Sequence, residues 1–220
     1  MNTRPAWGLL LLGALVVAAL FLSPLWLREL SPYIEEPVEE APFPDEFFSL
    51  ANEAQEIYSE MYDRDRQMAV DFVAARLVTP EPLDEPNLPL IDPNPSGVTM
   101  LLSGSFVTLD PVRGALGTAS LYRLSDGRRL LRLESFEAVG GPELHVLLSA
   151  YPNPTTKSDL DQVARLQLDL GPLKSGAGSQ NYIITDPAFN VENYTNGSVV
   201  IYSLPYETVF SYASLTPPPA

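Results

Sequence analysis

Residues 5–27 carry no charged side chain, and the stretch 7–27 would rise roughly 30 Å as a helix, enough to cross the hydrocarbon core of a bilayer. Trp7 and Trp26, the two tryptophans of the chain, stand at the ends of this run, where amphipathic rings prefer the headgroup level. The competing reading is a cleaved signal peptide, whose apolar region is usually only about 7 to 15 residues and ends at a pair of small residues. Here Leu20, Phe21 and Leu22 lead instead to Ser23-Pro24-Leu25, so an uncleaved signal-anchor over residues 1–28 is the expectation. Arg4 before the run and Arg28 after it give little basic asymmetry. Export of the larger C-terminal part is the economical orientation: a single-pass protein of the cell membrane with its C-terminal domain extracytoplasmic.

Composition removes several function classes. With 13 basic against 28 acidic side chains the formal charge is -15, and nucleic-acid binding has no electrostatic source. No cysteine is present, which excludes disulfides, thiolate metal sites and a cysteine nucleophile. His145 is the single histidine, too little for a multi-histidine metal site. Twenty-two prolines exceed what one compact domain uses, while 45% apolar residues exceed what a disordered chain carries. Ordered pieces joined by proline-rich connectors are expected.

The acidity is concentrated near the anchor: residues 29–97 hold 17 acidic and 3 basic side chains, residues 98–220 only 11 and 8. Residues 29–45 and 78–97 are rich in proline and acid and read as extended, self-repelling spacers. Between them, over 46–77, apolar residues recur at Phe47, Leu50, Ala54, Ile57 and Met61, then at Met68, Phe72 and Val73, which predicts an acidic amphipathic helix. Asp45 can cap its start. The apolar seam is interrupted at Arg64 and Asp71, which favours a helix packed on itself or on the following domain over a dimeric coiled coil.

From residue 98 to 215 the texture is of short runs of Val, Leu, Ile, Tyr and Phe broken by turn residues. Strands are expected at 99–109, 118–124, 129–136, 143–149, 163–168, 180–184, 199–204 and 207–214, separated by turns such as Asp126-Gly127, Gly140-Gly141-Pro142 and Asn196-Gly197. About eight strands without intervening helices predict an all-β fold, an antiparallel β-sandwich, preceded by the transmembrane and amphipathic helices. Leu131 and Leu133 alternate with Arg132 and Glu134, placing a charged face on solvent. The segment 144–149 is apolar on both faces and reads as a central strand, with His145 on the face of Leu147 and Ser149. Residues 216–220 read as a disordered tail.

The same stretch resembles the electron-transfer DM13 domain, a family of extracellular modules related in architecture to the DOMON β-sandwiches. The resemblance runs from about residue 104 to 215. It rests on Gly104-Ser105-Phe106, Asp110-Pro111-Val112-Arg113-Gly114, Gly117-Thr118-Ala119, Gly141-Pro142-Glu143-Leu144-His145-Val146, Leu148-Ser149, Leu170-Gly171-Pro172-Leu173-Lys174, Gln180-Asn181-Tyr182 and Val199-Val200-Ile201-Tyr202, in order. It implies a β-sandwich and a redox role resting on a cysteine just after the Val-Ile-Tyr strand, free or holding haem. That position is Ser203 here, followed by Leu204-Pro205-Tyr206, and a serine hydroxyl has no accessible redox chemistry. The resemblance therefore carries the fold without the activity.

Few other residues could carry chemistry. A lone histidine on an apolar strand is more often a hydrogen-bonded structural residue than a ligand, but His145 could pair with Met100 as haem axial ligands. Ser203, His145 and an aspartate could be written as a triad, although no Gly-x-Ser-x-Gly elbow is present. Asp186, Asn190, Glu192, Asn193 and Asn196 are oxygen-rich but match no calcium-loop spacing and read as a polar turn. Asn193 and Asn196 each begin a glycosylation sequon. Candidate binding residues are His145, Asn181, Tyr182, Ser203 and Tyr206, which combine amide donors, hydroxyls and aromatic rings. The resulting expectation is a membrane-anchored module for binding or assembly with a protein or carbohydrate partner, not an enzyme and with no cofactor. Its rival is an electron-transfer component working through haem or a partner's cofactor.

Overall fold

The structure is a computed structural model that describes residues 43–92 and 94–218. The expected anchor, with its membrane contact through residues 7–27, most of the 29–45 spacer and residues 219–220 of the tail lie outside the described residues. Among the described residues no helix is long and apolar enough to cross a membrane.

The β region holds ten strands: β1 (Leu83–Asp84), β2 (Thr99–Ser105), β3 (Thr108–Asp110), β4 (Arg113–Arg123), β5 (Arg129–Ala138), β6 (Leu144–Ser149), β7 (Gln167–Pro172), β8 (Ala177–Ile184), β9 (Ser198–Ser203) and β10 (Thr208–Ser214). They form a six-stranded sheet in the order β1-β8-β5-β4-β2, with β3 also on β4, and a four-stranded sheet in the order β10-β9-β6-β7. Every pairing is antiparallel except β1 with β8. The strand expected at 163–168 begins only at Gln167, because Ala164–Leu166 is a 3-10 turn following a short helix, α4 (Lys157–Asp161), whose start is tied by a Thr156–Asp159 capping box.

Period-two alternation builds the interior. Leu121, Leu131, Leu133 and Tyr182 of one sheet face Leu144, Val146, Leu148, Val199, Ile201 and Phe210 of the other in a common core. One edge is sealed by Ser103 and Thr216, which exchange two backbone hydrogen bonds of 2.9 Å, and by the Val107 amide donating to the Tyr212 carbonyl at 3.1 Å. Gly104 makes that approach possible, since a Cβ there would stand 2.1 Å from the Ser214 carbonyl oxygen.

The segment expected as one helix over 46–77 is a 3-10 turn (Asp45–Ser49) followed by two helices, α1 (Asn52–Arg64) and α2 (Arg66–Leu77). Asp65 divides them. Its backbone is extended, its amide closes α1 on the Met61 carbonyl at 2.7 Å, and its side chain accepts from the Met68 amide at 3.0 Å as the cap of α2. The pair belongs to the same compact unit as the sandwich. Phe72 of α2 is fully buried against Phe210 and Tyr206, at ring-centroid distances of 5.3 and 5.5 Å. Burying one such side chain contributes about 2 to 3 kcal/mol.

The 78–97 connector is likewise a strap on the larger sheet and not a free spacer. Leu83 and Asp84 pair with Gly178 and Ser179, and the Glu85 amide donates to the Ser179 carbonyl at 2.8 Å. A short helix, α3 (Leu88–Ile91), packs Leu88 and Ile91 on Tyr122, Leu124 and Leu130. The buried Asp92 pins the far end by accepting from the Ser125 amide and hydroxyl, both at 2.6 Å. Arg132, expected on a solvent face, is only 4% exposed because this strap lies over it; its guanidinium donates to the Pro86 carbonyl, Asn181 Oδ1 and Glu134.

Gly178 has a φ of +103° and lies so close to the strap that a Cβ would stand 2.2 Å from the Leu83 carbonyl oxygen. Gly178→Ala is therefore expected to lose about 2 kcal/mol of stability and to make the 78–92 segment the first point of limited proteolysis. Denaturant melts and a timed digest check both.

Candidate functional site

Sheet pleating separates the residues that a hydrolytic triad would need. On β9, Ser203 pairs with Leu144 and points into the core with Val199 and Ile201, whereas Tyr202 pairs with His145 on the outer face. Ser203 is fully buried and its hydroxyl donates to the Pro142 carbonyl at 2.7 Å. His145 and Ser203 thus lie on opposite faces of one sheet and cannot share a proton. His145 instead donates through Nδ1 to the Asp169 carboxylate, 3.0 Å from both oxygens, on the neighbouring β7. The histidine is thus hydrogen-bonded, but half-buried on the outer face and not in the core.

Asn181 and Tyr182 are adjacent on β8 and serve opposite faces. Asn181 holds the strap: its side-chain amide donates to the Pro86 carbonyl at 2.9 Å and its backbone amide to Glu85 Oε2 at 2.6 Å. Tyr182 points inward with the buried Gln180. The Tyr182 hydroxyl donates to Gln180 Oε1 at 3.0 Å, and the Lys174 amide donates to both side chains. Gln180 also donates to the Ser175 carbonyl at 2.6 Å, so the pair shapes the β7–β8 turn. Tyr206, in the β9–β10 turn, donates its hydroxyl to the Asp71 carboxylate of α2 and fixes that helix to the sandwich.

The five candidates do not converge on one site. Four of them, Asn181, Tyr182, Ser203 and Tyr206, hold the elements around a cleft of about 880 Å³ whose walls are other residues. The cleft lies between the end of α2 (Ala75, Arg76), the strap (residues 78–83), the end of β5 with the following loop (residues 137–141), and the β7–β8 turn (residues 172–176). Ser203 touches its wall indirectly, because Pro142 belongs to the loop whose Gly140, Gly141 and Glu143 line it. Those glycines permit the packing: a Cβ on Gly140 would lie 2.3 Å from the Ala75 carbonyl oxygen, and one on Gly141 2.2 Å from the Phe210 ring. A glycine pair before a strand signals only a turn, and nothing in the sequence announces that a helix 65 residues earlier packs upon it.

The cations at the cleft differ in their bonding. Lys174 is engaged with Glu85 at 2.7 and 3.0 Å and with the Asn181 carbonyl at 2.7 Å, and it lies 5.0 Å from the Tyr182 ring centroid. Arg76 has a buried Nε with no hydrogen-bond partner among the described residues. No histidine, methionine, tyrosine or cysteine is among the described residues lining the cleft, so it offers no axial ligand for haem. Met100 is on β2 of the larger sheet while His145 is on the smaller one, and no group of three or more His, Asp or Glu side chains among the described residues could hold a metal ion. The cleft lining therefore holds neither a thiolate nor the His–Met pair that haem ligation would use. The oxygen-rich loop consists of turn caps: Asp186 accepts from the Ala188 amide at 2.8 Å, and Asn190 from the Glu192 amide at 3.1 Å.

Two outcomes follow from these bonds. Ser203→Cys exchanges a buried hydroxyl donor for a weak one and is expected to cost about 1 kcal/mol, with the new thiol unreactive toward an aromatic disulfide reagent until the chain unfolds. A thiol titrating at once in the folded protein would contradict that burial. Second, Tyr58 and Tyr182 are pushed up to about 12 mainly by burial, and Tyr206 to about 12 first by its bond to Asp71. Folded values above the ordinary 10.0 mean stability that is complete below that pH and lost as pH rises toward about 12. Denaturant midpoints should fall across that window, and Tyr206→Phe should flatten the fall while removing about 1 to 2 kcal/mol at neutral pH.

Comparison with curated proteins and with solved structures returns no match. A family model described as "Electron transfer DM13" matches residues 106–215, which is half of the chain and covers the sandwich from the end of β2 through β10. With the sandwich, its edge closure and the ordered motifs in place, and with serine where the resemblance expects cysteine, the chain belongs to the DM13 family as a cysteine-free member.

Proposed function

We propose that this chain is a single-pass, membrane-anchored DM13 module that works outside the cytoplasm by binding or assembly and does not itself carry electrons. The observation that carries this reading is the pairing of a sealed family position with an open cleft beside it. Ser203 is buried and its hydroxyl is bonded to Pro142, whereas the loop bearing that proline lines a cleft of about 880 Å³. A concavity of this size with mixed apolar and polar walls is the ordinary setting for a ligand or a partner's side chains. The uncharged run of residues 7–27, flanked by tryptophans, supports the anchor. The family's description favours a second reading, in which the module docks beside a partner that holds the redox group.

Val78 is 67% exposed on the cleft wall, so enlarging it can narrow the mouth without disturbing the core. In detergent-extracted full-length chain, Val78→Trp is expected to keep the native melting temperature and to lose the protein that co-purifies with the unaltered chain. A haem-free partner supports assembly proper, and a haem-bearing one supports the second reading. A Soret band at near-stoichiometric intensity in the chain alone, or its reversible reduction at a measurable potential, overturns both.

A further inference from the structure

We propose that the cleft receives an extended peptide segment bearing basic side chains, supplied by a partner protein. This rests on the binding reading above and names its ligand class. Three carboxylates, Glu81, Glu137 and Glu143, stand exposed around the cleft and form no ion pair among the described residues. Of the two cations on the cleft, Lys174 is held by Glu85 and the Asn181 carbonyl, and Arg76 alone does not balance three carboxylates. Apolar side chains share the walls with the carboxylates, Val78, Pro82, Leu83, Leu144 and Leu173 among them. The cleft thus combines exposed negative charge with apolar wall residues. A peptide satisfies both: its apolar side chains cover the apolar walls, and its basic side chains meet the carboxylates.

The alternatives fit less well. No group of three or more carboxylate or histidine side chains among the described residues could hold a metal ion, so a metal has no ligand set at the cleft. No aromatic ring is among the described lining residues, so a sugar has no stacking platform. Pro80, Pro82 and Pro86 have no amide hydrogen to donate, so the strap edge cannot be extended as a sheet and recognition falls to side chains. This chain's own 29–42 segment has five glutamates and no basic residue and so lacks the side chains the carboxylates would pair, and a second copy of a chain at -15 is disfavoured by charge.

The probe is a fluorescein-labelled hexapeptide of alternating leucine and lysine, titrated by anisotropy into detergent-solubilised full-length chain, with the leucine-glutamate hexapeptide as its counterpart. Saturable binding of the lysine peptide is expected. Neutralising the cleft by Glu81→Gln, Glu137→Gln and Glu143→Gln together is expected to weaken it about tenfold. Neutralising three carboxylates of α1, Glu53→Gln, Glu56→Gln and Glu60→Gln, separates the site from attraction to the overall charge and should leave the affinity unchanged. Absence of lysine-peptide binding, equal loss from the two triple variants, or equal affinity for the glutamate peptide overturns the proposal. If the peptide fails to bind while Val78→Trp still releases the co-purifying protein, the ligand class is wrong and the binding role stands.

Discussion

Phe72 of α2 rests on Phe210 of β10, and the loop glycines Gly140 and Gly141 let their loop lie against the end of that helix and against the same ring. The rest of the cleft follows from this contact. Once Phe72 is seated, Asp71 beside it meets the Tyr206 hydroxyl, and the end of α2 is carried to the mouth of the sandwich. The strap must then leave from that end and run toward β8. Because a packed interior tolerates neither a void nor an extra methyl at the contact, the position of one cleft wall is set by a few aromatic and glycine residues.

The strap solves a second problem, the exposed edge of the larger sheet. A strand edge left open invites pairing with other chains, and here β8 is covered by two residues of β1 and a proline-flanked carboxylate. Glu85 takes the Asn181 amide that a longer strand would have satisfied and holds Lys174 at the same time. Arg132 loses most of its water to this covering but gains Glu134, Asn181 and the Pro86 carbonyl, so the charge is buried with its donors bonded. The strap part of the acid-rich segment is thus integrated into the fold, placing Glu81 on the cleft beside Glu137 and Glu143 of the sandwich.

Pleating governs what chemistry the sandwich can perform. Adjacent residues on β9 face opposite sides, so the hydroxyl at Ser203 enters the core and the histidine paired with its neighbour turns outward to Asp169. A cysteine at position 203 would inherit that buried site beside Pro142. In this chain the site is closed by a hydrogen bond, and the polar residues of the family motif, Gln180, Asn181 and Tyr182, act on the strap and the β7–β8 turn that border the cleft.

The long strands were legible in the sequence because alternation and turn residues are local properties: 129–136 and 143–149 appear as β5 and β6 within two residues at each end. The inward set, Leu131, Leu133, Val146 and Leu148, follows from the same period of two. Helical spacing over 46–77 was also legible, but the break at Asp65 depends on a cap geometry that competes with simple continuation of the helix. By itself the sequence determined the sandwich, the absence of thiol chemistry and the concentration of acid before the sandwich. Only the tertiary structure decided that residues 43–92 pack on the sandwich, that β1 exists and that Arg132 is buried. Each of these depends on contacts between residues far apart in the chain, such as the 135 positions separating Asp71 from Tyr206, and local periodicity carries no record of them.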